Sequence, residues 1–453
     1  MKRLLSVLLV IAMLLTFAAC ASSSDTPAQA ETPAADNSAA AETPAAEEQP
    51  AEEAPATTGE PVTIEYWYQN SYYDDWINKM VADFHAENPD ITVVPVLHGD
   101  DQALTTALTA AFQEGKAPTL FHTRANNSLA AYATEGVLQD MSGYGFDALE
   151  TDAGLAGGTV DGKLYAACLG YSAFCVIYNQ DIFDELSLTP PTTFDELVSV
   201  VKACQDAGYG GIAYPGSTAG HVWISRGLFR DAMTVDGYNA FELGIDNGTV
   251  TDVYDYPEAV DAIRSMSAYC SNGLLYNGSD AMDTDAEISL FATGECAMMV
   301  NYTGVMLSAE ALLDMNLGIF PLLGQTGAGK YYAEINNMIS MYSGASDEEK
   351  AAGAKFISFL LREDNMTYYA STRTEVPSVN GIVADHKYGE LFQREFASRG
   401  INMRTVCVTS NSEMWKAEFD ALQTGVIFNG VDPDEAIKSF SDHLKAADIA
   451  SYS

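Results

Sequence analysis

The side chains able to do chemistry in this 453-residue chain point to binding rather than to bond-making. Its 6 histidines stand singly and no two of its 7 cysteines fall at CxxC spacing, so the sequence holds no zinc framework and calls for no cofactor. It carries no Ser, His and Asp set, phosphate loop or HExxH. The acidic run Asp280–Glu287 lacks the glycine and ligand spacing of a calcium loop and reads as a solvated face. With 63 acidic residues, two carboxylates about 5–10 Å apart, as a glycosidase needs, would arise readily by chance, so acid content is no sign of hydrolysis. What remains is aromatic side chains beside Asp, Asn and Arg at the ends of apolar runs: Trp67 and Tyr68, Asp100 and Asp101, and Arg124 with Asn126. Flat rings next to planar groups that donate and accept in pairs suit a ligand with C–H faces and hydroxyls. Each of these residues could equally be packed or solvated.

The elements that must position them alternate. Val62–Tyr68 is β-branched and aromatic and reads as a strand, and Asp74–Glu87 sets Trp76, Ile77, Met80, Val81 and Phe84 on one helical face before Asn88-Pro89. Ile91–Leu97 is strand-like, Ala103–Glu114 helical, Thr119–His122 a short strand and Asn127–Glu135 helical. Repeated strand–helix–strand units imply a parallel sheet with helices on both faces. Ligands of such sheets gather at the carboxyl ends of the strands, which places Trp67–Tyr73, His98–Asp101 and Thr123–Asn127 there. Leu164–Tyr178 is a longer strand-like run. Thr193–Glu196 is a capping box before a helix over Phe194–Ala207, Ser346–Glu349 is a second, and Asp432–Glu435 is a variant before Ile437, Phe440 and Leu444.

The amino terminus is an address. Lys2 and Arg3 precede an apolar run, Leu4–Phe17, too short to span a bilayer, followed by Ala18 and Ala19. Phe17-Ala18-Ala19-Cys20 resembles the bacterial lipobox, which implies a signal peptide over residues 1–19 and a diacylated Cys20 as the first mature residue. Residues 21–60 hold thirteen Ala, five Pro, nine acidic residues and no Lys or Arg, a composition that cannot bury enough to order itself and reads as a linker. The formal charge of −41 repels phosphate backbones and anionic lipid, which excludes nucleic acid and leaves the lipid anchor as the membrane contact. Beyond Cys20, six cysteines would permit fifteen disulfide pairings, but most lie in apolar runs, which favours buried thiols.

The order of segments resembles the extracellular solute-binding proteins of family 1, the carbohydrate-binding subunits of ABC importers related to maltose-binding protein. The likeness rests on VTIEYWY, FHAENPDITVVPV and AFQEGKAPTL, and on the block DGKLYAACLGYSAFCVIYNQDIFDELSLTPPTTFDELVSVVKACQDAG, with FATGECAMMVNYTG and NLGIFPLLG later. The chain departs from the family pattern at Ala167-Cys168, where many members have a proline, and no tryptophan follows Gly304.

The resemblance implies an α/β fold of the type II periplasmic-binding-protein kind, two lobes that are each a mainly parallel sheet flanked by helices, joined by crossing hinge strands. The crossings are expected near Cys168–Ser172, Leu317–Pro321 and Leu360–Asp364, giving lobes of 61–169 plus 320–361 and 170–319 plus 362–453. It further implies a monomeric receptor at the outer face of the cytoplasmic membrane that captures a sugar or oligosaccharide, closes on it and delivers it to the transmembrane subunits of an ABC permease. A non-sugar solute is the alternative within the fold, and a secreted carbohydrate-active enzyme the alternative outside it. On the second lobe, the family's pattern points to Trp223 as a stacking aromatic and to Asn301 and Tyr302 after the Ala-Met strand. Tyr171 lies at the first crossover. Glu334, Asn336 and Asn337, and Arg373 with Glu375, are further candidates.

Overall fold

Strand β1 (Val62–Gln69) buries Ile64, Tyr66 and Tyr68 at alternate positions, the period of two that seats one face of a strand on a core. It pairs in parallel with β2 (Ile91–His98) along its length and with β3 (Leu120–Thr123) at Tyr66 and Trp67. The computed structural model describes residues 61–446 apart from 308, 310–314, 374 and 404–411. The signal, Cys20, the linker, Cys407 and the side chain of Asn336 therefore lie outside the described residues. The helix Asp74–Glu87 buries Trp76, Ile77, Met80 and Phe84, with Val81 half-buried at the edge of the same face. The next helix, Asp101–Glu114, begins two residues before its apolar period because the Asp100 carboxylate caps it, accepting from the Ala103 N–H at 2.8 Å.

Short strands β4 (Thr159–Val160) and β5 (Lys163–Leu164) form a hairpin ahead of β6 (Ala166–Asn179), the longest strand. Then come β7 (Met298–Tyr302), β8 (Leu317–Phe320), β9 (Tyr331–Met341), β10 (Val376–Pro377) and β11 (Ile401–Met403). Among the described residues the main sheet has nine strands along the path β10-β6-β9-β3-β1-β2, with β7 and β8 on β6 and β11 on β9. It is mixed. The β1–β2 and β1–β3 pairs are parallel as the strand–helix–strand pattern requires, but β9 lies antiparallel to both β3 and β6. β9 follows β8 through the loop 321–330 and not through a helical crossover, so nothing holds it to the parallel sense.

Three cores result. One gathers Ile64, Tyr66, Trp76, Phe84, Phe356, Leu360 and Tyr369, a second Phe183, Ile224, Phe229, Phe241, Ile263 and Phe419, and a third Cys175, Ile177, Ile319, Tyr331, Ile335 and Met338. β6 feeds all three, through Ala167 and Leu169, through Val176 and Tyr178, and through Cys168, Cys175 and Ile177. Leu317–Phe320 pairs with the Val176–Asn179 end of β6, whereas β9 runs beside β6 from Ala166 to Phe174. Leu360–Asp364 joins the helices Asp347–Leu360 and Glu363–Thr372, whose Ile357, Leu360, Met366 and Tyr369 share one core.

Local signals are realised with two differences. The Ser346–Glu349 box is complete, and Asp432 accepts from the N–H groups of Asp434 and Glu435, both at 3.0 Å. At Thr193 only half the expected box forms: Thr193 accepts from Glu196, but the Glu196 carboxylate takes both its donors from Thr192, one residue earlier. The acidic stretch is also not uniformly solvated: Asp280, Asp283 and Asp285 are exposed, but Glu287 is fully buried because it turns inward to accept from the Asn301 amide at 2.6 Å. Cys168, Cys175, Cys204 and Cys296 are buried free thiols and Cys270 is a half-buried one.

A second buried acid sits where β6 and β9 lose register. One extra residue on β6 between Cys168 and Gly170, then one on β9 between the partners of Gly170 and Ser172, break the ladder and restore it. The Cys168 N–H donates to Glu150 at 3.1 Å, while Ser378 donates to the Cys168 carbonyl at 2.6 Å. Burial raises the Glu150 carboxyl from its usual value to about 8, the Cys168 N–H pulling the other way and Asp147 adding slightly. The folded chain thus keeps a proton that the unfolded chain releases, so stability should fall as pH rises from 4.5 towards 8. Glu287, raised by burial to about 9, acts in the same sense. In urea titrations at both ends of that window, Glu150→Gln should shrink the difference by on the order of a few kcal/mol relative to wild type; an unchanged difference would place the Glu150 proton elsewhere.

Candidate ligand-binding site

The paired bulges bring polar side chains to the middle of the two long strands. Asn337 stands opposite Gly170, where a Cβ would come within 3.0 Å of the Val376 carbonyl and 3.1 Å of the Tyr369 ring, so a larger residue would push these neighbours back. The Asn337 amide donates to the Tyr369 hydroxyl at 2.7 Å. Tyr369 donates in turn to Glu375, which also accepts from Tyr73 at 3.0 Å. Burial raises the Glu375 carboxyl, opposed by these two phenols and by Arg373. The Arg373 guanidinium lies 5.1 Å from the centre of the Tyr73 ring. Tyr171, half-buried, pairs with Val376 beside this group, and burial pushes its phenol up to about 12.

Two residues along, Ser172 faces Glu334 across the ladder. Glu334 accepts from Arg226 at 2.7 Å and from the hydroxyl of Tyr332. Burial alone would weaken the Arg226 cation, but Glu334, joined by Tyr332, Tyr238 and Glu242, outweighs it and holds the guanidinium charged. Arg226 follows Trp223 by three residues on the helix Val222–Met233, so the two share a face. The Trp223 ring meets Phe174 at 5.4 Å and stands edge-on to Tyr302 at 6.0 Å and 85°. Gly304 leaves room for Tyr302, since a Cβ there would come 2.6 Å from its ring. Trp223 and Tyr302 are half-buried, each with part of its surface free for a ligand.

At the carboxyl ends of β1 and β3, Asp101 pairs with Arg124 at 3.1 Å. The buried Gln69 amide completes the group, its nitrogen 3.0 Å from Asp101 and its oxygen 3.1 Å from Arg124. The structure thus brings Tyr171, Glu334, Asn337 and Arg373 together on and beside the crossing strands, Trp223 and Tyr302 next to them, and Asp101 with Arg124 at the strand ends. The other expected residues are occupied elsewhere. Asp100 and Asn126 cap helices with their carboxyl and amide oxygens. Trp67 donates back to Glu65 at 2.8 Å and packs on His98 at 4.5 Å. Tyr68 is buried and donates to Asp74 at 2.7 Å. Asn301 is fully buried, donating to Glu287 and accepting from the Tyr302 N–H at 2.8 Å. Sequence reasoning passed over Arg226, Tyr332 and Tyr369, and reached Tyr73 and Ser172 only as ends of the loop Trp67–Tyr73 and the expected crossing Cys168–Ser172. Of the three missed, only Arg226 left a signal, its helical spacing from Trp223.

A family model described as bacterial extracellular solute-binding protein matches residues 79–393, well over half of the chain. The chain belongs to that family. It is a solute-binding protein of the ABC-importer kind, its family made up of binding proteins, and it is exported. It is 23% identical over 299 residues to the sn-glycerol-3-phosphate-binding periplasmic protein of Brucella abortus (strain 2308), which covers 63% of this chain and 67% of that one. A family 1 extracellular solute-binding protein from Bifidobacterium longum subsp. infantis superposes with a TM-score of 0.68 at 19% identity, covering 86% of this chain and 100% of that one. The raffinose complex of RafE, a protein of Streptococcus pneumoniae, gives 0.66 at 20% identity over 85% of this chain and 99% of that one. These structures establish the two-lobed solute-binding fold.

Packing and binding roles separate in a pair of variants. Asn301→Ala leaves the binding protein's buried Glu287 without its donor and should cost about 1–3 kcal/mol of stability with affinity unchanged. Trp223→Ala should cost about 2 kcal/mol of binding, roughly thirtyfold, with the fold retained. Urea unfolding and titration calorimetry on the same samples check both, and a reversed pattern would exchange the two assignments.

Proposed function

We propose that this receptor captures a neutral sugar or oligosaccharide between its lobes and delivers it to the transmembrane subunits of an ABC permease, without chemical change to the ligand. The observation that carries the reading is the half-buried Trp223–Tyr302 pair set beside the Arg226–Glu334 ion pair: an apolar platform for C–H faces next to charged groups that offer hydroxyls both donors and acceptors. RafE, seen with raffinose, supports a sugar. The Brucella relative is named for a phosphate ester, but here three cations near the crossing strands face carboxylates, Arg226 with Glu334, Arg124 with Asp101 and Arg373 beside Glu375, and Arg230 is buried between the Tyr238 and Tyr332 rings. A phosphate would compete with those carboxylates for each cation.

In this reading the lobes meet along β6 and β9. The division into 61–169 plus 320–361 and 170–319 plus 362–453 is adjusted at two places. Residues 362–379 go to the first lobe, since Met366, Tyr369 and Val379 pack with Tyr66 and Trp76. Residues 320–330 go to the second, since Leu322 and Leu323 pack with Phe229 and Ile263. The receptor acts as a monomer, tethered by lipid on Cys20 to the outer face of the cytoplasmic membrane; no helix among the described residues is long and apolar enough to cross it.

Calorimetry with maltotriose and raffinose against sn-glycerol-3-phosphate tests the ligand class. A sugar should bind and lower the radius of gyration in solution scattering, while the phosphate ester should not bind. Binding of the ester alone would overturn the reading, and sugar binding at an unchanged radius would sink closure. Radiolabelled palmitate should enter the wild type in its native host but not Cys20→Ala, because only the thiol can carry the diacylglycerol. Equal labelling would end the lipid-anchor proposal.

A further inference from the structure

We propose that Arg230 is a positioning residue that holds the ligand platform in place from behind. The inference rests on the reading of the Trp223–Tyr302 face as that platform. Arg230 lies four residues beyond Arg226 and seven beyond Trp223 on the helix Val222–Met233, and it is 3% exposed. Its guanidinium carbon is 4.3 Å from the centre of the Tyr238 ring and 4.7 Å from that of Tyr332. A cation at these distances, out of water, is attracted to the faces of both rings.

Tyr332 passes that restraint to both halves of the site. Its hydroxyl donates to Glu334, the carboxylate that holds Arg226. Its ring stacks on Phe174 at 5.7 Å and 19°, and Phe174 touches Trp223 at 5.4 Å and Tyr302 at 6.2 Å. One tyrosine therefore orients the polar arm and supports the aromatic arm, and Arg230 is the charged group over its ring. A methionine would fill similar space without the desolvation cost of a cation, but it has neither the charge nor the planar fork to fix the orientation of a ring. Lysine keeps the charge and loses the plane.

The full chain labelled with 5-fluorotryptophan offers a ligand-free readout, since its 4 tryptophans give separate fluorine resonances and Trp223→Phe assigns one of them. Arg230→Met should displace the Trp223 resonance and leave those of Trp67 and Trp76, which pack on other cores, at their wild-type positions. Arg230→Lys should give a smaller displacement. Val260→Ala, a cavity in the same core as Arg230's helix, should lower stability with Trp223 unmoved. A Trp223 resonance that stays put in Arg230→Met, or that moves as far in Val260→Ala, overturns the proposal. If Arg230→Met loses the Trp67 and Trp76 signals with the fold, Arg230→Lys decides by the same criterion. With raffinose or maltotriose as probe, Arg230→Met should bind about tenfold more weakly, the order expected when a desolvated cation–π contact is lost, with part recovered in Arg230→Lys. A wild type that binds neither sugar overturns the sugar reading, while the fluorine shifts still decide the role of Arg230.

Discussion

The antiparallel pairing of β6 with β9 is the constraint on which the rest of the structure depends. The two strands interrupt their own ladder at Cys168–Ser172 with one extra residue on each side, and that offset leaves a backbone N–H for Glu150 and a close approach at Gly170. Along β6, Ala167 and Leu169 enter one core, while further on Val176 and Tyr178 enter a second and the alternating Cys175 and Ile177 a third; Phe174 stacks on Tyr332 across the ladder. In the proposed division the lobes meet along this pair, so a movement of one against the other would bend it.

Charge in the site is arranged in matched units. Arg226 with Glu334 and Arg124 with Asp101 are ion pairs with one partner on a strand or strand end and the other on or beside a helix, and Gln69 ties the second pair to the sheet. A half-buried cation costs desolvation unless it is paired and hydrogen-bonded, so the pairs keep the polar groups in place before a ligand arrives. The Glu375 cluster works differently: two phenols and an amide surround a carboxyl that burial disfavours as an anion, and the hydrogen bonds fix its direction.

Much of the local structure was legible. Strands β1, β2 and β3, the helices between them and the length of β6 follow from period, apolar content and helix stops, because these depend on neighbours in sequence. The Asn88-Pro89 stop, the Ser346 box and the Asp432 cap were readable for the same reason. The segments resembling the family pattern carried the family and with it the two-lobed fold. Less legible was how a given polar side chain would be used. Asp100 and Asn126 were rightly placed at strand–helix junctions, yet a residue type suited to binding a hydroxyl is equally suited to capping a helix, and the local backbone took both.

The sequence by itself therefore determined the α/β alternation, the family and the presence of Trp223 and Tyr302 as candidate platforms. Tertiary structure alone decided which polar groups meet. Asn301 and Glu287 are 14 residues apart and neutralise each other's needs inside the protein, whereas Arg226 and Glu334 are 108 apart and join a helix to β9. Tyr73 and Glu375, separated by 302 residues, meet only because the segment after β1 and the segment before β10 come together in the fold. Such pairings depend on sheet order and on the offset between two strands, which no local spacing encodes: a shift of one residue would turn Glu334 and Asn337 to the opposite face.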